Sequence, residues 1–263
     1  MFRGLFIGID RYKPPVNRLS CASADALALG GLFADTLGGE VVRLLDENAT
    51  RDAITKALDD LSTAAEDDFV VISFSGHGTV DHRLVPIDVD IADVTASCIS
   101  LDELATLLDQ VPAKHLIVLL DCCFSGGFGG ARVFAPNVPR SLTEDRAAVQ
   151  GLARGAGRIV ITASGAGEPA LETAEFGHGL LSYYLIQGIQ GHGDLAVGER
   201  IAILDLFQFV IQSVVGAAER MAEIQTPTIY GSLEGAPTLP VLIPGASYAL
   251  AFPDRVRAPV RAD

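Results

Sequence analysis

No tryptophan occurs in these 263 residues, and aromatic residues make up only 6%. The interior must therefore be filled by Leu, Ile, Val and Ala rather than by rings. Charge is also sparse. Asp, Glu, Lys and Arg account for 20% of the chain against 49% apolar residues, which argues against disorder and for a sizeable core. Cations are the scarcer sign, with 19 Lys and Arg against 33 Asp and Glu, a net charge of −14. That balance disfavours nucleic acid and anionic membrane surfaces as partners. It suits a basic peptide, although acidity on composition alone needs no reason beyond solubility. No apolar run reaches membrane-spanning length, and Met1–Asp10 is too short for a signal segment, reading instead as a buried strand. The four cysteines, Cys21, Cys98, Cys122 and Cys123, are too few for a disulfide framework and point to a reducing, cytoplasmic compartment. The glycine-rich stretch Gly126–Gly130 is followed by no Lys-Ser/Thr pair, which counts against a phosphate-cradling or flavodoxin-like ligand-binding domain.

What is present alternates. Gly4–Ile9, Glu40–Leu45, Phe69–Phe74, Leu116–Leu120 and Arg158–Ala163 read as strands, with a last one within Pro227–Pro244. Between them lie helical patterns. One starts at Ser23 as N-cap, carries Asp25 in its first turn and stops at Gly38-Gly39. Another is capped by Thr50 and repeats Ile54, Leu58 and Leu61 at helical spacing, and a third is capped by Ser100. Further helices are predicted over Gly179–Gln190 and Ala202–Glu223, and a tail over 246–263. Residues 79–99 are acidic and irregular. Residues 126–157 form a long Gly/Pro/Arg-rich stretch, of the kind that usually has a function inside a compact domain. Continuous apolar strands alternating with helices predict an α/β fold, a mostly parallel sheet of about six strands with helices on both faces. No internal repeat or linker divides the chain, so one domain is expected.

Two segments carry chemistry. Phe69-Val-Val-Ile-Ser-Phe-Ser-Gly-His-Gly78 delivers a histidine at the end of one strand, and Leu116-Ile-Val-Leu-Leu-Asp-Cys-Cys-Phe-Ser-Gly-Gly127 delivers a thiol at the end of another. The C-terminal edge of an open parallel sheet is where such folds place their reactions. A thiol must become a thiolate to attack, and an imidazole beside it serves as base and then as acid. Glycines at 76 and 78 let the backbone turn sharply beside His77, and the amides of Gly78 and Cys123 are candidates to hold an oxyanion. From the residues alone, Cys122 and Cys123 both qualify as nucleophile. Asp121 closes a wholly apolar strand, a costly place for an acid without a partner, and the expected partner is a substrate Arg. From its position alone, Asp25 reads as a helix first-turn acid.

Together, Ser75-Gly-His-Gly78 and Asp121-Cys-Cys-Phe-Ser-Gly126 resemble the caspase/metacaspase clan of cysteine peptidases (the C14 type), with the Asp-Cys-Cys form of the prokaryotic metacaspase-like proteins. The resemblance runs from the first strand to about Pro244. It implies a caspase-like three-layer sandwich, with a catalytic domain over 1–245 followed by the tail. Within that domain the larger subregion would cover residues 1–127, a connecting loop residues 128–157 and the smaller subregion residues 158–245. It implies a cysteine endopeptidase with a His77–Cys123 dyad, and a pocket of Asp25, Asp121 and Ser75 that selects Arg over Lys in peptide or protein substrates. The connecting stretch carries Arg132, Arg140, Arg146 and Arg154, which suit self-processing and equally suit a solvated loop. Met1 almost touches the first strand, so no prodomain is expected and activation falls to an upstream protein. Calcium, needed by many metacaspases, would fall to Asp88, Asp102 and Glu103. The further acid expected after the nucleophile is replaced by Gly129-Gly130, so no cofactor is expected to be required and helix capping is the preferred role of these acids. His178 reads as packing or as a subsite wall. A monomer is implied, with Arg255, Arg257 and Arg261 of the tail near the last strand. The alternative is a catalytically idle caspase-like interaction module; the retained His77, Cys123 and pocket acids favour the enzyme.

Overall fold

A computed structural model describes residues 1–122, 149–150, 152–153, 157–165, 168–173, 176–232 and 237–252. The order of elements is β1 (Phe2–Gly8), α1 (Ala22–Leu37), β2 (Glu40–Leu45), α2 (Arg51–Asp60), β3 (Phe69–Ser75), β4 (Arg83–Leu84), α3 (Val94–Ser97), β5 (Ile99–Ser100), α4 (Leu101–Leu108) and β6 (His115–Asp121). It continues with β7 (Arg158–Thr162), β8 (Glu172–Thr173), β9 (His178–Gly179), α5 (Leu180–Ile189), β10 (Ala196–Val197), β11 (Arg200–Ala202), α6 (Ile203–Arg220), β12 (Thr228–Gly231), β13 (Thr238–Pro240) and α7 (Ala246–Ala251).

Six strands form one sheet in the order β12-β7-β6-β3-β1-β2. All neighbours are parallel except β12, which runs antiparallel to β7 at the edge. The continuous apolar strands follow from burial on both faces. Alternate residues of β1, β3 and β6 enter two separate cores. Leu5, Ile7, Val70, Ile72, Val118 and Leu120 pack with Ile54, Leu58, Leu104 and Leu108 of α2 and α4. Phe6, Val71, Ile117 and Leu119 pack with Leu29, Leu32, Leu185 and Val210 of α1, α5 and α6. The predicted mostly parallel six-stranded sheet, covered on both faces, is thus the one observed.

The local differences have physical causes. Thr50 and Ser100 cap α2 and α4 as expected, accepting from Ala53 N and Glu103 N. Ser23 does not cap α1. The helix begins at Ala22, and the carboxylate of Asp10 accepts the Ala22 and Ser23 amides at 2.8 and 3.0 Å. The Ser23 hydroxyl instead reaches Asp46 Oδ2. The single last strand expected within Pro227–Pro244 is two strands, since β12 joins the main sheet while β13 pairs with β11 in a small three-stranded sheet. The segment expected to be a tail from 246 starts with α7, which docks on α1, whereas 253–263, with Arg255, Arg257 and Arg261, lies outside the described residues. Among the described residues no helix is long and apolar enough to cross a membrane.

Candidate active site

Ser75 and Asp121 end β3 and β6 as register partners, and the Gly76 amide donates to the Asp121 carbonyl at 3.3 Å. Parallel pairing thus aligns the two motif strands at their C-terminal ends. Helix α1 adds Asp25 from its first turn. The Ser75 hydroxyl donates to Asp25 Oδ2 at 2.9 Å. The Gly179 amide donates to both Asp25 oxygens, at 3.2 and 3.3 Å, and His178 Nδ1 lies 2.8 Å from Oδ1. Asp121 Oδ2 accepts the Ser182 hydroxyl at 2.6 Å and the Ser182 amide at 3.1 Å. Among the described residues none donates to Asp121 Oδ1. Strand β9 has to be glycine where it passes these acids, because a Cβ on Gly179 would lie 2.6 Å from Asp121 Oδ2 and 3.1 Å from Asp25 Oδ2.

These groups surround a cavity of about 220 Å³ whose lining includes Asp25, Ser75, His77, Asp121, Glu172 and Gly179. Glu172 pairs with Gly179 across β8 and β9. Its carboxylate accepts the Ser20 and Cys21 amides at the N-terminus of α1, at 3.1 and 3.2 Å, although the residue as a whole is exposed. Among the described residues no Lys or Arg lines the cavity. All three carboxyls are consequently less acidic than usual. Burial, then the neighbouring charge of Asp25, pushes Asp121 up to about 7 against the bonds from Ser182. Burial likewise raises Asp25 and Glu172.

His77 is buried, and its ring lies 4.8 Å from that of Tyr12. Its backbone amide donates to the Tyr12 hydroxyl at 3.1 Å, which donates in turn to the Val85 carbonyl at 2.8 Å. Nε2 lies 2.8 Å from the Asn17 carbonyl. A carbonyl only accepts, so Nε2 carries the hydrogen and the neutral ring keeps its lone pair on Nδ1. Burial holds the His77 pKa below the ordinary value, against the bond to Asn17. Gly78 opposes Leu84 as a non-hydrogen-bonded pair: the flanking bonds run from Thr79 N to Arg83 O and from Val85 N to His77 O. The Gly78 amide therefore points away from β4.

Cys123 lies outside the described residues. Cys122, directly before it, is buried in the core between β3, β6 and α4. Burial pushes the thiols of Cys21 and Cys98 up to about 12, which leaves them protonated and unreactive at neutral pH.

The structure thus brings Ser75, His77, Asp25 and Asp121 to one cavity, with Gly78 beside it. The partner expected of Asp121 was a substrate Arg; within the chain, Ser182 at the start of α5 binds one of its oxygens. Sequence reasoning missed Glu172 and Ser182; His178, read as packing or as a subsite wall, binds Asp25 with its ring. A helix start, Leu180-Leu-Ser182, was the readable signal for Ser182; Glu172 had none. Two of the three acids considered for calcium, Asp88 and Glu103, are committed elsewhere. Asp88 accepts the Arg51 amide at 2.8 Å, and Glu103 holds the Arg51 guanidinium through contacts of 2.6 and 2.8 Å. Among the described residues no three His, Cys, Asp or Glu side chains are grouped to hold a metal ion. A cation already bound to Glu103 makes this donor set a poor fit for calcium.

The sequence profile of the caspase domain matches residues 2–236. Among solved structures, a Geobacter sulfurreducens protein aligns over 90% of this chain and 95% of its own at 18% identity and a TM-score of 0.57. Caspase-1 from Spodoptera frugiperda aligns over 89% and 88% at 15% identity and a TM-score of 0.59. No curated protein matches.

Proposed function

This chain belongs to the caspase-domain family of cysteine peptidases, and from that premise we propose that it cleaves peptide bonds after basic residues, Arg before Lys. The observation that carries this reading is the cavity beside His77, walled by three carboxyl groups and by no cation among the described residues. Burying carboxylates is costly unless a positive partner arrives. A substrate guanidinium supplies one and matches carboxylate geometry through two parallel bonds, which an ammonium cannot. Asp121 Oδ1 is the acceptor best placed for it, with Glu172 at the mouth.

In the proposed reaction Cys123, two residues beyond Asp121 as His77 is two beyond Ser75, gives its thiol proton to His77 Nδ1. The sulfur bonds to the substrate carbonyl carbon, and the resulting oxyanion is held by the amides of Gly78 and Cys123. His77 returns the proton to the leaving amine, the C–N bond breaks and a thioester remains. Water, deprotonated by His77, then releases the acid and regenerates the thiol. Self-processing at Arg132, Arg140, Arg146 or Arg154 would follow from the same selectivity; these residues lie outside the described ones. No step is assigned to a metal.

The test compares fluorogenic peptides ending in Arg, Lys or Asp, using wild type and Cys123→Ala. Turnover is expected for Arg above Lys, none for Asp, and none with the variant. Turnover by Cys123→Ala equal to wild type, or cleavage of the Asp peptide alone, overturns the proposal. A folded wild type that cleaves none of the three favours the idle interaction module.

A further inference from the structure

The chain continues past the matched caspase-domain residues into α7, and α7 is joined to the acid cavity through a short series of contacts. At its start, the Asp35 carboxylate accepts the Gly245, Ser247 and Tyr248 amides, each at 2.8 Å. Tyr248 is buried against α1, where a Cβ on Gly31 would lie 2.9 Å from its Cα. The two helices therefore meet at backbone distance, and Gly31 is what permits it. Just past the end of α7, Phe252 packs on Tyr248 with ring centroids 5.1 Å apart and on His178 at 5.8 Å. His178 in turn bonds Asp25, and both side chains are 1% exposed.

We propose that His178 is a positioning residue of the acid cavity and that α7 is the strap that holds it there. Asp25 is wholly buried, so its orientation depends on the groups that bond it. Ser75 and Gly179 hold it from the sheet edge and His178 holds it from the side of α7. Taking away the His178 bond leaves Oδ1 with the Gly179 amide at 3.2 Å as its one remaining donor among the described residues, so the carboxylate is held less firmly at the cavity wall and a substrate cation meets a less fixed acid. The effect falls on binding of the basic side chain and leaves the Cys123–His77 chemistry alone. The inference rests on cleavage after basic residues, and its test separates the two.

The experiment measures kcat and KM on an Arg peptide, with melting temperatures, for wild type, His178→Leu, His178→Asn and Phe252→Ala in the full chain. The Asn amide replaces Nδ1 as a bonding partner for Asp25, whereas Leu fills the space and offers none. Expected are a KM about tenfold higher for His178→Leu at nearly unchanged kcat, recovery to within about threefold of wild type for His178→Asn, and a rise of about threefold for Phe252→Ala. An inactive wild type overturns cleavage after Arg and this inference with it. An active wild type whose KM is matched by a folded His178→Leu overturns the inference alone, as does equal impairment by Leu and Asn. Should His178→Leu not fold, Phe252→Ala decides, since Phe252 is only half-buried: an unchanged KM there removes the strap.

Discussion

Helix α1 carries Asp25 in its first turn and Asp35 in its last, and the helix dipole predicts that the first should be the stronger acid. The reverse holds. Asp25 is raised, chiefly by burial. Asp35 is less buried; burial pushes it up too, but the Tyr248, Ser247 and Gly245 amides hold it below its ordinary value. The dipole contributes about 0.3–1 kcal/mol and is overridden by burial and by direct bonds. The difference separates two uses of an acid. Asp35 has found enough donors within the chain and does structural service. Asp25, with Asp121 beside it, has been placed where its own protein does not fully compensate its charge, which is how a binding site differs from a cap.

The sharpest way to break this comparison is Asp121→Asn. The amide oxygen can still accept from Ser182, so the cavity keeps its shape and loses a charge. Turnover of Arg peptides should drop about a hundredfold, in the range expected when one partner of a buried charge pair is removed. Stability should move the other way. An acid whose folded pKa is raised binds its proton more tightly when folded, so its charge lowers stability as pH rises from the unfolded value, near 4, to about 7, and by a constant amount above that. At pH 8 the variant should melt no lower than wild type. A lower melting temperature with intact Arg turnover would make Asp121 a structural acid like Asp35.

The sequence disclosed this contrast unevenly. β3 and β6 were readable because burial on both faces makes strands continuously apolar, and Ser75 and Asp121 follow directly from where those strands end. Asp25 was readable as an acid in the first turn of α1, and it is in fact both a first-turn acid and a cavity wall. Glu172 was not readable, Ser182 was legible only as part of a helix start, and His178 only as packing or a subsite wall. They follow the long 126–157 stretch, and they meet the cavity only because the two-residue strands β8 and β9 pair, too short for any period to register. Helix α7 was read as tail because six residues carry almost no pattern. It depends on tertiary support, namely three amides on Asp35 and the Tyr248 backbone against Gly31. Local propensity cannot report a helix that its neighbour caps.

A second and smaller effect concerns pH. If the raised carboxyls exist to meet a cation, binding requires their ionised form. The KM for an Arg peptide should therefore fall as pH rises through about 7, where Asp121 loses its proton. About a tenfold change between pH 6 and pH 8 is expected. The lowered His77 is neutral over most of that range, so kcat should change less. Steady-state kinetics at constant ionic strength distinguish the two. A KM flat across the range would mean that Asp121 is already ionised at pH 6 or does not touch the substrate.

The smallest effect should come from the other end of α1. Asp35→Ala removes the acceptor of three backbone amides at the start of α7, and losing such a cap costs about 0.5–2 kcal/mol. Urea denaturation should show a loss of unfolding free energy of that size at neutral pH, read as a lower midpoint at unchanged slope. The side chain does not line the acid cavity, so any kinetic change has to arrive through α7, Phe252 and His178. A KM rise of about twofold with kcat unchanged is expected, below that of Phe252→Ala because α7 keeps its apolar contact with α1. Loss of stability with no change in KM would confine Asp35 to capping and show that the strap does not transmit. A loss of turnover as large as that of Asp121→Asn would erase the distinction between the two ends of the helix.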